Sequence, residues 1–248
     1  MEKILLITGG AVGIGAAIAL QAAEAGFAVC VNYNSSGQAA ETLCERISAL
    51  GARIIAVRAD VSVERDVLRL FNEVDTQLGL VTHLVNNAGV IAPIKKFDAT
   101  TVEDLQRVFA VNVFGSFLCA REAVKRMCTL SGGKGGAIVN MSSAASRIGS
   151  PNEFIEYAAS KGAIDTFTLG LSKEVASRGI RVNAVRPGLI DTDIHAHAGD
   201  ASRAERLKSA IPMQRVGTAC EVAEAVMWLL SDSAAYVTGT TLDVAGGR

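Results

Sequence analysis

Short runs of β-branched and other apolar residues alternate along this chain with longer segments whose apolar positions recur every three or four residues. The short runs predict strands at Ile4–Thr8, Phe27–Asn32, Arg53–Arg58, Thr82–Asn86, Ala137–Met141, Arg181–Val185 and Thr240–Val244. The longer period predicts helices at Gly15–Ala25, Ala39–Leu50, Glu64–Leu78, Thr101–Cys128, Tyr157–Ser177 and Glu221–Leu230. Such alternation builds βαβ units, whose crossovers force the strands parallel and cover both sheet faces with helices. Gly26, Gly51, Gly79 and Gly179 each stand between a helix and the next strand, where a left-handed residue closes the last turn. No linker or repeat divides the pattern, so it predicts a single α/β domain over 1–248 with a doubly wound, seven-stranded, mostly parallel sheet. The stretch Pro187–Ala201 has no period and leads to a short helical candidate ending at Ala210; a loop of that length predicts a substrate lid at about 191–212.

Composition narrows the function. Lys and Arg total 24 against 25 Asp and Glu, with no basic block to attract a phosphate backbone, so nucleic acid is not an expected partner. The apolar start Ile4-Leu5-Leu6-Ile7 is too short for a signal-peptide core, and no apolar run is long enough to span a bilayer, which predicts a cytoplasmic protein without membrane contact. The five cysteines are odd in number, scattered and free of any C-x-x-C pair, and read as reduced structural residues. His195 and His197 fall in the predicted lid and read as solvated side chains, so no metal site is expected.

Candidate chemistry begins after the first strand. Thr8-Gly9-Gly10-Ala11-Val12-Gly13-Ile14-Gly15 joins a strand to a helix. Glycines there permit positive φ and close approach of the backbone to a pyrophosphate, whose charge suits the helix N-terminus. The end of the second strand would face the adenosine ribose, where an acid selects NAD and an arginine selects NADP. Asn32-Tyr33-Asn34-Ser35-Ser36 offers neither, but its amides and hydroxyls can bond a phosphate, so the sequence leans to NADP with dual use expected. Downstream, Tyr157 and Lys161 stand four residues apart on a predicted helix and share a face. A phenol with a pKa near ~10 is a poor base at neutral pH, and a neighbouring ammonium favours its phenolate. Ser142 and Ser143 end the fifth strand, at the sheet edge where open α/β proteins place their sites.

Together these segments resemble the short-chain dehydrogenase/reductase family, classical type, from Ile4 to Gly247. Thr8–Gly15 is similar to its T-G-x-x-x-G-I-G turn, Asn86-Asn87-Ala88-Gly89 to its N-N-A-G motif, and Tyr157–Lys161 to its Y-x-x-x-K centre. The resemblance implies a Rossmann-like fold and hydride transfer between NADP or NAD and a carbonyl or secondary alcohol, with sugar dehydrogenases and 3-oxoacyl reductases as the nearest flavour. It implies Tyr157 as general acid/base, Lys161 as its tuner and ribose ligand, Ser143 as substrate anchor, and Asn112 as support for a relay water. It further implies Gly9, Gly13, Ile14 and Gly15 at the pyrophosphate and Asp60 and Val61 around adenine, while Asn34 and Ser35 are the cofactor candidates that the end of the second strand itself offers. Asn87, Ala88 and Gly89 would line the ribose; Pro187, Gly188, Ile190 and Thr192 would hold the nicotinamide. A homotetramer is also implied. Substrate choice would lie in Ile91–Asp98, Arg147–Glu156 and the lid.

Two departures stand out. The Ser143-to-Tyr157 spacing is one residue longer than usual, which keeps Ser142 and Ser146 as alternatives. The tail reads Val244-Ala245-Gly246-Gly247 where the family has an aspartate. A cofactor-binding sensor of the same fold, and a phosphate binder of the P-loop or flavodoxin kind, are the competing readings.

Overall fold

Seven strands form one sheet in the order β3-β2-β1-β4-β5-β6-β7, every neighbouring pair parallel. They are β1 (Lys3–Ile7), β2 (Phe27–Tyr33), β3 (Ile54–Arg58), β4 (His83–Asn86), β5 (Gly136–Met141), β6 (Ile180–Pro187) and β7 (Thr241–Val244). The computed structural model describes residues 2–192 and 207–248, so His195, His197 and most of the predicted lid lie outside the described residues. The helices are α1 (Gly13–Glu24), α2 (Gly37–Ala49), α3 (Glu64–Gln77), α4 (Val102–Phe109), α5 (Gly115–Met127), α6 (Ala145–Ile148), α7 (Ile155–Val175) and α8 (Ala219–Leu230).

The alternating side chains of each strand feed two separate cores. Ile4 and Leu6 of β1, with Ile138 of β5, pack under α3, α5 and α7 around Phe71 and Met127. Leu5, Ile7 and Val139 point the other way and meet Ile18 of α1, Ile47 of α2 and Val226 of α8. A doubly wound sheet follows from this two-sided burial. Capping boxes start α4 (Thr101 with Asp104) and α8 (Thr218 with Glu221). Gly26, Gly51, Gly79 and Gly179 all take positive φ, as the helix-to-strand turns require.

Two local features depart from the sequence pattern. The predicted helix Thr101–Cys128 is interrupted by a π-helical turn, Ala110–Phe114, centred on Asn112. The segment between Ser143 and Tyr157 folds into the four-residue α6 and then a turn in which Ser150 (φ 45°) and Asn152 (φ 63°) are left-handed.

Candidate active site

The sheet order reverses between β1 and β4, so the crevice at the carboxyl ends of these strands is where a ligand finds room. The glycine turn lies on one side of it. Gly9 has φ 60°, and a Cβ there would come within 2.9 Å of Ala88 Cα; a Cβ on Gly15 would stand 2.5 Å from Gly9 O. Gly13 has φ 55° and faces Thr192, whose Cγ2 lies 3.5 Å from a Cβ built on it. Helix α1 opens at Val12 with no side-chain cap and no acid in its first turn, leaving that end suited to an anion. Glycines that clear a cradle beside an uncapped helix end fit a dinucleotide pyrophosphate. Ile14, half-buried, follows in the first turn.

Much of the N-N-A-G segment is spent on holding this turn. Asn87 Nδ2 donates to the carbonyls of Thr8 (3.0 Å) and Gly9 (2.9 Å), while Thr8 Oγ1 accepts from the N–H groups of Asn87 and Ala88. Asn32, absent from the sequence-level site, is buried at the end of β2 and accepts from Gly9 N while donating to the carbonyls of Val57 and Ala59. The signal for it was present: an amide closing an apolar strand has to be bonded.

Across the crevice stand Tyr157 and Lys161. Tyr157 and Lys161 share one face of α7, with Lys161 Nζ 5.6 Å from the centre of the Tyr157 ring. Lys161 is buried and donates to Met141 O at 2.7 Å, the last carbonyl of β5. Burial pulls the ammonium down to about 8, opposed by the negative charge of Asp165 one turn along α7. Gly89 adjoins both this amine and Asn112, since a Cβ on Gly89 would be 3.5 Å from Lys161 Nζ and from Asn112 Oδ1.

Asn112 is fully buried and satisfied by protein groups. Its Oδ1 accepts from Val90 N at 2.8 Å, and Nδ2 donates to Val90 O (3.0 Å) and Ser160 Oγ (3.1 Å). Ser160 Oγ in turn donates to Tyr157 O at 2.7 Å. The π-helical turn thus aims this amide at the β4 loop and at α7 together. Among the serines, Ser142 is buried and donates to Lys161 O at 3.2 Å, and Ser146 Oγ donates to Ser143 O. Ser143 is half-buried, and its Oγ accepts from Ala145 N at 3.1 Å and donates to no group among the described residues.

The residues that the resemblance gives to the nicotinamide stand at the end of β6 and its exit. Pro187 O accepts from Ala144 N, and Gly188 N donates to Val244 O. Ile190 is buried and pairs with Gly217. Just after β3, Asp60 Oδ1 accepts from the N–H and hydroxyl of Ser62, and Val61 packs on Gly115. Asn34 Nδ2 lies 3.4 Å from Asp60 Oδ2, and Ser35 is exposed. The segment Asn32–Ser36 holds no arginine, but one stands beside it: Arg58, the last residue of β3, donates through Nε to Asn34 O at 3.0 Å. It was missed because it comes from a neighbouring strand rather than from the turn itself.

An ion-pair ladder borders the site. Asp165 accepts from Arg186 (2.9 Å), Arg186 faces Asp243 across β6 and β7, and Asp243 pairs with Arg147 of α6. The acid that the tail lacks after Val244 is therefore present two residues earlier than the family pattern puts it. A cavity of about 460 Å³ opens beside the ladder, between Ile211 and Met213 on one wall and Val244 to Arg248 on the other. Among the described residues no helix is long and apolar enough to cross a membrane.

Comparison with known proteins agrees with this geometry. A family model described as enoyl-(acyl carrier protein) reductase matches residues 9–248. An oxidoreductase of Escherichia coli K12, YgfF, is 52% identical over 245 residues, covering 99% of each chain. The 3-oxoacyl-(acyl-carrier-protein) reductase FabG of Staphylococcus aureus is 37% identical over 247 residues, covering 100% of this chain and 98% of its own. A solved mutant of the short-chain dehydrogenase/reductase of Serratia marcescens superposes with a TM-score of 0.91 at 31% identity, covering 99% of this chain and 97% of that one. This chain belongs to the short-chain dehydrogenase/reductase family and is an NAD(P)-dependent oxidoreductase acting on CH–OH groups.

Proposed function

We propose that the protein interconverts a carbonyl and a secondary alcohol on a sugar, 3-oxoacyl or small ketone substrate, with Tyr157 exchanging the proton at the substrate oxygen. The observation that carries this reading is the buried Lys161 amine, fixed on Met141 O and standing 5.6 Å from the Tyr157 ring at the carboxyl edge of the sheet. When bound, the nicotinamide supplies or accepts the hydride. Lys161, charged below a pKa of about 8, favours the Tyr157 phenolate and reaches the ribose. Ser143 donates its free hydroxyl proton to the substrate oxygen, and Asn112 holds the Val90 turn and α7 in register. Gly9, Gly13, Ile14 and Gly15 hold the pyrophosphate; Asp60 and Val61 flank adenine; Ala88 and Gly89 line the ribose; Ile190 and Thr192 hold the carboxamide.

The neutral Asn34-Ser35-Ser36 corner favours NADP while leaving NAD acceptable. A homotetramer is supported by exposed apolar side chains in two regions, Phe114 of the π-helical turn with Phe117 of α5 and Leu169 of α7, and Trp228 of α8 with Tyr236 beyond it. Five unpaired thiols suit a reducing cytoplasm. The test follows nicotinamide absorbance with wild type and Tyr157→Phe on ketones and 3-oxoacyl esters, then on sugars and secondary alcohols in the reverse direction. Wild-type turnover that falls about a hundredfold or more in the variant is expected; equal turnover by both proteins refutes the assignment of Tyr157. Cofactor binding without turnover on any substrate points to a sensor.

A further inference from the structure

We propose that Arg58 is the residue that discriminates NADP from NAD, by gripping the 2′-phosphate from the neighbouring strand. The inference deepens the NADP reading above and rests on it. Arg58 closes β3 in register with Tyr33, the last residue of β2, so its side chain arrives beside the turn that follows β2. Its Nε is tied to Asn34 O at 3.0 Å, which places the guanidinium beside Asn34-Ser35-Ser36. Among the described residues neither terminal nitrogen of Arg58 has a hydrogen-bond or ion-pair partner, although the side chain is exposed. The Ser35 and Ser36 hydroxyls are likewise unbonded, and Ser36 makes no side-chain cap on α2.

The surrounding charges do not cancel this cation. No carboxylate lies in the turn from Tyr33 to Gln38. Asp60, the acid nearest along the strand edge, has Oδ1 committed to Ser62 N (2.9 Å) and Ser62 Oγ (2.6 Å). A second guanidinium, Arg69, donates to Arg58 O at 2.7 Å and faces Asp66 at 3.7 Å. Asp66 is itself engaged with Asp60 N at 3.0 Å.

A phosphate at this corner would meet a two-donor guanidinium edge with serine hydroxyls beside it, a charge-assisted arrangement that an uncharged 2′-hydroxyl cannot exploit. Because Nε is already anchored, less side-chain freedom is lost on binding. The absence of a carboxylate in the turn leaves the 2′-hydroxyl of NAD unopposed. Preference for NADP with residual use of NAD follows.

The test measures binding alone, by calorimetric titration of the full chain with adenosine 2′,5′-bisphosphate and with 5′-AMP. Wild type is expected to bind the bisphosphate about tenfold or more tightly than AMP, a preference that weakens with added salt. Arg58→Ala should abolish the difference by weakening the bisphosphate while AMP stays within about twofold, and Arg58→Glu should invert it. A wild-type preference that survives in Arg58→Ala overturns the assignment of Arg58 and leaves the NADP reading standing. A wild type that binds the two ligands equally overturns the NADP reading, and this inference with it.

Discussion

Replacing Asn112 with leucine tests whether its buried amide is a tether or a reagent. The side chain is fully buried and makes three bonds, two to the backbone of Val90 and one to Ser160. Leucine fills similar space but leaves the Val90 N–H and C=O and one side of Ser160 without a partner. Each buried polar group left unsatisfied costs about 1–3 kcal/mol. Val90 is half-buried and leucine gains some transfer energy, so the net loss is on the order of 3 kcal/mol. Against a typical total of about 5–15 kcal/mol the variant still folds. In a chain of this size the loss corresponds to a fall of roughly 6–12 °C in the thermal midpoint. Asn112→Asp is the control. It keeps an acceptor for Val90 N–H but puts oxygen where Nδ2 now donates to Val90 O, so it should fare no better than leucine. Scanning calorimetry reads both variants. A leucine variant that melts within about 1 °C of wild type refutes the tether, and lost turnover in such a protein assigns Asn112 to the chemistry.

Gly15→Ala puts a methyl group 2.5 Å from Gly9 O and 2.7 Å from Asn87 Nδ2, so the glycine turn has to open. Overpacking of this kind costs about 1–3 kcal/mol, and cofactor affinity by fluorescence titration should fall about tenfold or more; unchanged affinity counts against the placement of the pyrophosphate. Lys161 predicts a pH dependence of stability. Its folded pKa of about 8 lies below the ordinary 10.5, so between those values the unfolded chain holds a proton that the folded chain has released, and stability rises with pH. The gain is on the order of 3 kcal/mol across the window and should be missing in Lys161→Met. Urea unfolding at pH 8 and pH 10 that shows the same change in both proteins contradicts it.

The fold was legible because its determinants are periodic. Two-sided apolar strands such as Leu5-Leu6-Ile7 can only lie inside a sheet covered on both faces, and the helix stripes and glycine stops agree with that at every unit. Tyr157 and Lys161 were legible for the same reason, since a spacing of four on a helix fixes a shared face. What did not show was whatever depends on contacts across strands. Arg58 reaches the β2 turn only through the β2–β3 ladder, and Asp243 finds Arg186 only through β6–β7 pairing. The different surroundings of Ser142, Ser143 and Ser146 likewise needed three dimensions: the hydroxyls of Ser142 and Ser146 donate to Lys161 O and Ser143 O, while Ser143 Oγ accepts from Ala145 N. The π-helical turn at Asn112 had one sequence trace, an amide inside the apolar run from Phe109 to Leu118.

The residues that frame the site are mostly amides, and the electrostatics of the site explain why. Asn32, Asn86 and Asn140 close β2, β4 and β5 or sit one residue from their ends, and Asn87 and Asn112 extend the same frame. Asn32 ties the glycine turn to β3; Asn86 donates to Asn140, which donates to Thr168 of α7. An amide carries donors and an acceptor without net charge, so it can be buried and bonded in several directions at once. A carboxylate in place of Asn32 or Asn87 would set a negative charge against the glycine turn, and one in place of Asn112, beside Gly89 and Lys161, would raise an amine that burial now holds down. Charged residues stand outside this frame: Arg58 beside the turn after β2, and the alternating Asp165, Arg186, Asp243 and Arg147 across α7, β6, β7 and α6. The neutral frame thus fixes the geometry, and leaves the protonation of Lys161 to its burial, opposed by Asp165.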